Sequence, residues 1–211
     1  MKKASYENQA LFNLPRSPLL IVLSGPSGAG KDVVLSRMRE LGYPLRYITT
    51  VTTRPQRANE KDNIDYHFVS TERFQEMISG DELLEWAKVY SNWYGVPKQP
   101  VKQALDKGQD TIVKVDIQGA ATIKKMLPQA VFIFLTPPSM EEVIIRLKQR
   151  HTESASDLAL RIKTAEEEIK QLPLFDYVII NKRDEIDLAA SDIKAIITAE
   201  KCRVNRKKIT L

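Results

Sequence analysis

The sequence predicts an α/β fold in which a parallel sheet is flanked by helices, and three observations carry that expectation. Residues 19–23, 111–115, 131–135 and 177–180 are short, almost wholly apolar runs rich in β-branched residues and leucine, the pattern of strands buried on both faces. The segments between them place apolar residues at helical spacing. The first run leads into a glycine-rich turn that opens a helix. With 211 residues, 43% of them hydrophobic, the chain is long enough for one well-buried core with insertions but short of two full-sized domains.

Residues 1–18 mix Lys, Asn and Ser with Pro15 and Pro18, without a sustained period, and read as a loosely attached leader. After the first strand, Val34, Leu35, Met38 and Leu41 form the apolar stripe of a helix that starts near Lys31 and stops at Gly42. Residues 49–98 are rich in Thr, Tyr, Arg, Asp and aromatics, with short alternating stretches such as Tyr66-His67-Phe68-Val69. They read as an insertion of small mixed strands and a helix. Ser139-Met140-Glu141-Glu142 has capping-box form and opens a helix carrying Val143, Ile144 and Leu147. A helix over residues 156–171 puts Leu158, Ile162, Ala165 and Ile169 on one side, with Glu166-Glu167-Glu168 expected to be largely solvated, and a last helix covers residues 188–201. There is no internal repeat and no low-complexity segment.

Composition narrows the function classes. Cys202 is the only cysteine and cannot form an intramolecular disulfide, and the two histidines, His67 and His151, lie far apart, so no metal-ligand cluster is expected. A reducing, cytoplasmic setting follows. The longest apolar run is too short to span a bilayer and lacks the features of a signal peptide, so no membrane association is expected. The net charge of +5 is spread among acidic residues until Arg203-Val204-Asn205-Arg206-Lys207-Lys208, which reads as a solvated end rather than a nucleic-acid site. The same excess of cations suits a site that holds several phosphates.

Gly25-Pro26-Ser27-Gly28-Ala29-Gly30-Lys31 follows a predicted strand and precedes a predicted helix, the context that a phosphate-binding Walker A loop requires. The glycines let successive backbone N–H groups point inward, the helix N-terminus adds positive potential, and Lys31 brings a point charge to the β- and γ-phosphates. The residue after the lysine is ordinarily Ser or Thr, whose hydroxyl ligates Mg²⁺; here it is Asp32. A carboxylate can hold Mg²⁺ directly but adds negative charge beside a polyphosphate, so a compensating cation is expected nearby.

Together with this loop, Thr49-Thr50-Val51-Thr52-Thr53-Arg54-Pro55-Gln56-Arg57, Asp65-Tyr66-His67-Phe68-Val69, Glu85-Trp86-Ala87, Asn92-Trp93-Tyr94-Gly95, Val115-Asp116-Ile117-Gln118-Gly119, Pro137-Pro138-Ser139 and Val178-Ile179-Ile180-Asn181 resemble the guanylate kinase family. The resemblance spans residues 19 to about 201. It implies a P-loop NTPase core over residues 19–48, 99–139 and 173–211, a GMP-binding insertion over 49–98 and a helical lid over 140–172. It implies ATP and GMP as substrates, dGMP as a second acceptor, Mg²⁺ with the ATP, and a monomer or a homodimer. By resemblance, residues 25–33 (Gly25, Pro26, Ser27, Gly28, Ala29, Gly30, Lys31, Asp32 and Val33) and Asn181 would meet ATP, with Asp32 at the metal. Arg54, Arg57, Tyr66 and Tyr94 would hold the GMP phosphate, and Thr50, Glu85 and Asp116 would read guanine. Lys31, Arg54 and the lid arginines Arg146, Arg150 and Arg161 would stabilise charge during transfer.

The residue chemistry agrees with several of these assignments. Two arginines three apart present planar forks that can converge on one phosphate dianion. A glutamate can accept from guanine N1–H and N2–H₂, whereas adenine has no N1–H, a mismatch that can supply about 10⁴-fold discrimination. Taken alone, Tyr66 and Tyr94 read as partly buried strand residues, Arg146 as a polar helix-face residue and Asn181 as a strand-end turn residue.

Besides Asp32, the sequence departs from the family in having Lys114 two residues before Asp116, where an acidic residue is usual, and Val96 where a hydroxyl is usual. The Asp32 and Lys114 changes offset each other in charge, so Lys114 is expected to reach Asp32 or a phosphate oxygen, and a monovalent cation such as K⁺ is a candidate cofactor. The alternative function is a guanylate-kinase-like phosphoprotein-binding module. Asn181-Lys182-Arg183-Asp184 follows a strand and imitates a GTPase guanine motif, a reading set aside here in favour of the resemblance.

Overall fold

The structure, a computed structural model, describes residues 17–58, 60–149, 155–204 and 207–211, the side chains of 155–157 excepted. Most of the leader and Arg150 lie outside the described residues.

The chain runs β1 (Leu20–Ser24), α1 (Lys31–Glu40), β2 (Arg46–Tyr47), β3 (Val51–Thr52), β4 (His67–Phe68), α2 (Thr71–Ser79), β5 (Leu83–Val89), β6 (Asn92–Pro97), α3 (Lys98–Asp106), β7 (Thr111–Lys114), α4 (Ile117–Met126), β8 (Val131–Thr136), α5 (Met140–Lys148), α6 (Ala155–Ile169), β9 (Tyr177–Ile180) and α7 (Ile186–Lys201). Five strands form a parallel sheet in the order β2-β7-β1-β8-β9. This is a P-loop NTPase core. β1 is fully buried at its centre, and its alternating side chains feed two cores. Leu19, Ile21 and Leu23 pack with Val34, Leu35 and Met38 of α1 and with Ala189, Ile193 and Ile197 of α7. Leu20 and Val22 pack on the other face with Val101 and Leu105 of α3 and with Ala120 and Ile123 of α4.

A second, smaller sheet has the order β4-β3-β6-β5, with β6 antiparallel to both its neighbours. It lies within the segment expected to be an insertion. Phe74 and Met77 of α2 cover it, joined by Val51 and Leu83. The register of β5 against β6 slips between Leu83 and Glu85, and Leu83, Leu84 and Glu85 are all buried in succession. That bulge breaks the strict alternation of a strand and places a carboxylate inside.

Two expectations need correction. Leu41 is 42% exposed rather than part of the α1 stripe. The helix ends one residue before it in a Schellman turn: Gly42, at φ +69°, donates to Arg39 O, and Tyr43 donates to Met38 O. Glu168 is not solvated like its neighbours Glu166 and Glu167; it turns inward to the phosphate loop and accepts from Ser27 N at 3.2 Å.

Candidate active site

The loop from β1 to α1 is shaped by backbone that only glycine tolerates. Gly25 has φ +145°, and a Cβ there would sit 1.9 Å from Leu135 O. Gly30, at φ +87°, is the N-cap of α1. Asn181, at the end of β9, is buried and donates from Nδ2 to Ala29 O at 2.8 Å, while its own carbonyl accepts from Arg146 at 2.8 Å. Both residues therefore brace the loop from behind. The guanidinium of Arg146 is also held by Glu142 on its own helix, and neither Arg146 nor Asn181 lines the cleft.

Lys31 folds back over the loop, donating to the carbonyls of Gly25 and Pro26. Burial holds its pKa below the usual lysine value, against the opposing pull of Glu168, Asp32 and Asp116. Asp32 forms an ion pair with Lys114, as the offsetting charges anticipated. From the lid side, Arg161 donates to Ser27 Oγ at 3.3 Å and lies 5.0 Å over the Tyr90 ring. Glu168 is seven residues further along α6 and therefore on the same face. Its carboxyl is raised by burial, against the pull of Lys31.

Across the cleft, Arg54 forms a two-pronged bond to Glu60 at 2.7 and 2.9 Å, and Arg57 approaches the same carboxylate through its backbone N–H at 2.9 Å and its side chain at 3.7 Å. The Arg54 guanidinium also lies over the rings of Tyr66 and Phe68, 5.5 and 5.7 Å from their centroids. Tyr66 packs edge-on against Tyr94. The two arginines thus converge on one carboxylate, the geometry that would serve one phosphate.

The far end of the cleft is different in kind. Glu85 is 5% exposed and its Oε2 has no hydrogen-bond partner; buried Thr50 likewise leaves its Oγ1 unpartnered. Burial, reinforced by Asp116, pushes the Glu85 carboxyl up to about 8. Asp116 caps α4, its Oδ1 accepting from Gly119 N at 2.8 Å, and its pKa is raised by burial despite that bond. A Cβ on Gly119 would lie 2.5 Å from Glu85 Oε2, so glycine is required here by the carboxylate that packs on it.

One cleft joins these parts. The whole run Gly25–Val33 lines it, together with Thr50, Arg54, Arg57, Tyr66, Glu85, Tyr94, Asp116 and Arg161 from the sequence analysis. Sequence reasoning missed Glu60, Glu168, Tyr90 and Gly119 as parts of this machinery. The arginine pair at 54 and 57 was a signal that some anion must hold them, but nothing in the sequence singled out Glu60.

The donor set fits a hard divalent cation arriving with phosphates. Among the described residues there is no cluster of three or more His, Cys, Asp or Glu side chains that would cage a metal, and Asp32 is a single exposed carboxylate at the loop. One carboxylate completed by phosphate oxygens and water is the environment Mg²⁺ favours. No described helix is long and apolar enough to cross a membrane.

Comparison with known proteins identifies the family. The guanylate kinase family model matches residues 17–200. The chain is similar to the guanylate kinase of Caldanaerobacter subterraneus subsp. tengcongensis, with 46% identity over 93% of this chain and 95% of the relative. It is also similar to that of Desulfitobacterium hafniense, with 47% identity over 90% and 94%. The crystal structure of guanylate kinase from Anaplasma phagocytophilum superposes with a TM-score of 0.75 at 35% identity, covering 92% of this chain and 91% of that one.

Proposed function

The chain belongs to the guanylate kinase family and is a nucleoside monophosphate kinase, and from that premise we propose how its cleft divides the work of moving the γ-phosphoryl group of ATP to GMP. The observation that carries the reading is the pairing of a phosphate loop at one end of the cleft with a buried, partnerless Glu85 oxygen at the other. Guanine supplies the N1–H and N2–H₂ donors that this oxygen lacks, and an adenine ring does not. Thr50 and Asp116 flank the same ring, and none of the described residues assigned to the acceptor is given to a ribose 2′-hydroxyl, so dGMP is proposed as a second acceptor.

In this division the backbone N–H groups of residues 27–30 and Lys31 cradle the ATP phosphates, and Arg54 and Arg57 hold the GMP phosphate in place of Glu60. Asp32 would hold Mg²⁺, which supplies charge neutralisation at the ATP phosphates. The acceptor phosphate, with a second pKa near 6, is already mostly a dianion at neutral pH, so no general base is needed. Catalysis rests on positioning and cationic stabilisation of the γ-phosphoryl in flight. Arg161 reaches the loop from α6, and closure of that helix excludes water that would otherwise hydrolyse ATP.

The test is an assay of purified protein with ATP and each of GMP, dGMP, AMP, CMP and UMP, with Mg²⁺ varied from none to excess. GDP and dGDP from the guanine acceptors alone, dependent on Mg²⁺, is the expected result. Measurable GMP binding with no turnover would replace the kinase reading with that of a binding module.

A further inference from the structure

Lys114 enters the cleft from the end of β7, where strand register sets it opposite Leu23, just before the phosphate loop. Its ammonium pairs with Asp32 on the loop side and lies 3.8 Å from the Tyr66 ring centroid on the other. It therefore stands between the loop that would hold the ATP phosphates and the Arg54–Tyr66 group that would hold the GMP phosphate. Its side chain is only 10% exposed, whereas that of Asp32 is 55% exposed.

A polyphosphate settling into the loop brings negative charge directly beside Asp32. The arrangement that relieves this repulsion turns Lys114 from the carboxylate to the phosphoryl oxygens and leaves Asp32 an oxygen for the Mg²⁺ that accompanies ATP. A purely structural tie between α1 and β7 would have no need to place its cation inside the cleft between two phosphate subsites.

We propose that Lys114 is a catalytic cation of the transfer, exchanging Asp32 for the phosphoryl group as that group passes from ATP to GMP. The inference rests on the kinase reading above. In the step, a GMP phosphate oxygen attacks the γ-phosphorus, the bond from that phosphorus to the β,γ-bridging oxygen breaks, and ADP leaves with the electron pair. Lys114 gives up no proton; it offsets charge spread over the oxygens in transit.

The experiment measures single-turnover GDP formation at saturating ATP, Mg²⁺ and GMP for wild type, Lys114→Met and Lys114→Arg, with calorimetric binding of GMP to each. Lys114→Met is expected to slow the saturated step by about 100-fold or more while GMP affinity changes by less than about threefold, and Lys114→Arg is expected to keep about a tenth of the rate. A Lys114→Met rate within about fivefold of wild type, or a loss confined to KM, overturns the role. Independently of any change at 114, Asp32→Asn should tighten binding of metal-free β,γ-imido-ATP by about tenfold, because the lysine is then free for phosphate. Unchanged or weaker binding overturns the exchange. A wild type that binds GMP but never forms GDP overturns the kinase reading itself, whereas normal wild-type turnover beside an unimpaired Lys114→Met overturns only the assignment of Lys114.

Discussion

The two ends of the cleft are built on opposite principles. At the phosphate end the charged groups already have partners: Lys31 on loop carbonyls, Lys114 on Asp32, Arg54 on Glu60, and Glu168 on the Ser27 N–H. At the base end, Thr50 and Glu85 keep buried oxygens with no partner. On the proposed reading Glu60 and Glu168 hold the groups that phosphates would take, so phosphate binding would exchange one anion for another. Base binding fills a need that the fold leaves unmet. Exchange yields modest, salt-sensitive affinity, whereas an unmet buried acceptor yields steep selectivity, because a wrong base leaves it desolvated and unpaired.

The largest expected effect comes from breaking the base end by shape alone. Gly119→Ala puts a methyl group 2.5 Å from Glu85 Oε2, although helix propensity at this position in α4 would favour alanine. The carboxylate must move, and kcat/KM for GMP should fall by about 100-fold with ATP-analogue binding unchanged. Steady-state kinetics with calorimetry check this, and equal losses for both substrates would mean that the two ends are not independent.

The next effect is on pH. Burial pushes the free Glu85 carboxyl up to about 8, and on the proposed reading guanine binds its ionised form, so the complex would hold fewer protons than the free protein. GMP affinity should rise about fivefold between pH 7 and 8 and level off towards pH 9, and Glu85→Gln should bind weakly with a flat profile. The sign for stability is the reverse. A carboxyl raised in the fold contributes most below its unfolded value near 4.5 and loses that contribution as pH rises to about 8. The Tm of Glu85→Gln should therefore gain on wild type across that window, and a constant difference would refute the burial of an ionisable group there.

The smallest effect sharpens the phosphate end. Glu168→Gln removes the charge that competes for the loop and should tighten ATP-analogue binding by about two- to fivefold at low salt, with the gain fading as salt rises. Weaker binding would show that Glu168 supports the loop rather than occupying it.

How legible the molecule was in its sequence differs between these regions. Four of the five strands of the large sheet were readable because burial on both faces demands continuous apolar runs, and β9 appears at the predicted residues, whereas the two-residue edge strand β2, which is not buried, carries no such run. The phosphate loop was readable because its backbone needs glycine at fixed spacing and a lysine beyond it. Leu41 and Glu168 were misread for one reason: helical periodicity gives the angle at which a side chain leaves the axis, but not where the helix stops or what packs against that angle.

The sequence by itself determined the α/β layering, the loop and the chemical inventory of the site, because these rest on local steric and hydrophobic rules that each residue obeys whatever its distant neighbours are. Only the tertiary structure decided which carboxylates are buried, paired or left wanting. The bulge at Leu83–Glu85 turns an acid inward, Gly119 makes room for it, and β7 brings Lys114 across to Asp32, 82 residues away in the chain. Charge, unlike helix or strand, takes its meaning from what lies within a few ångströms in space, and that is set by packing rather than by sequence order.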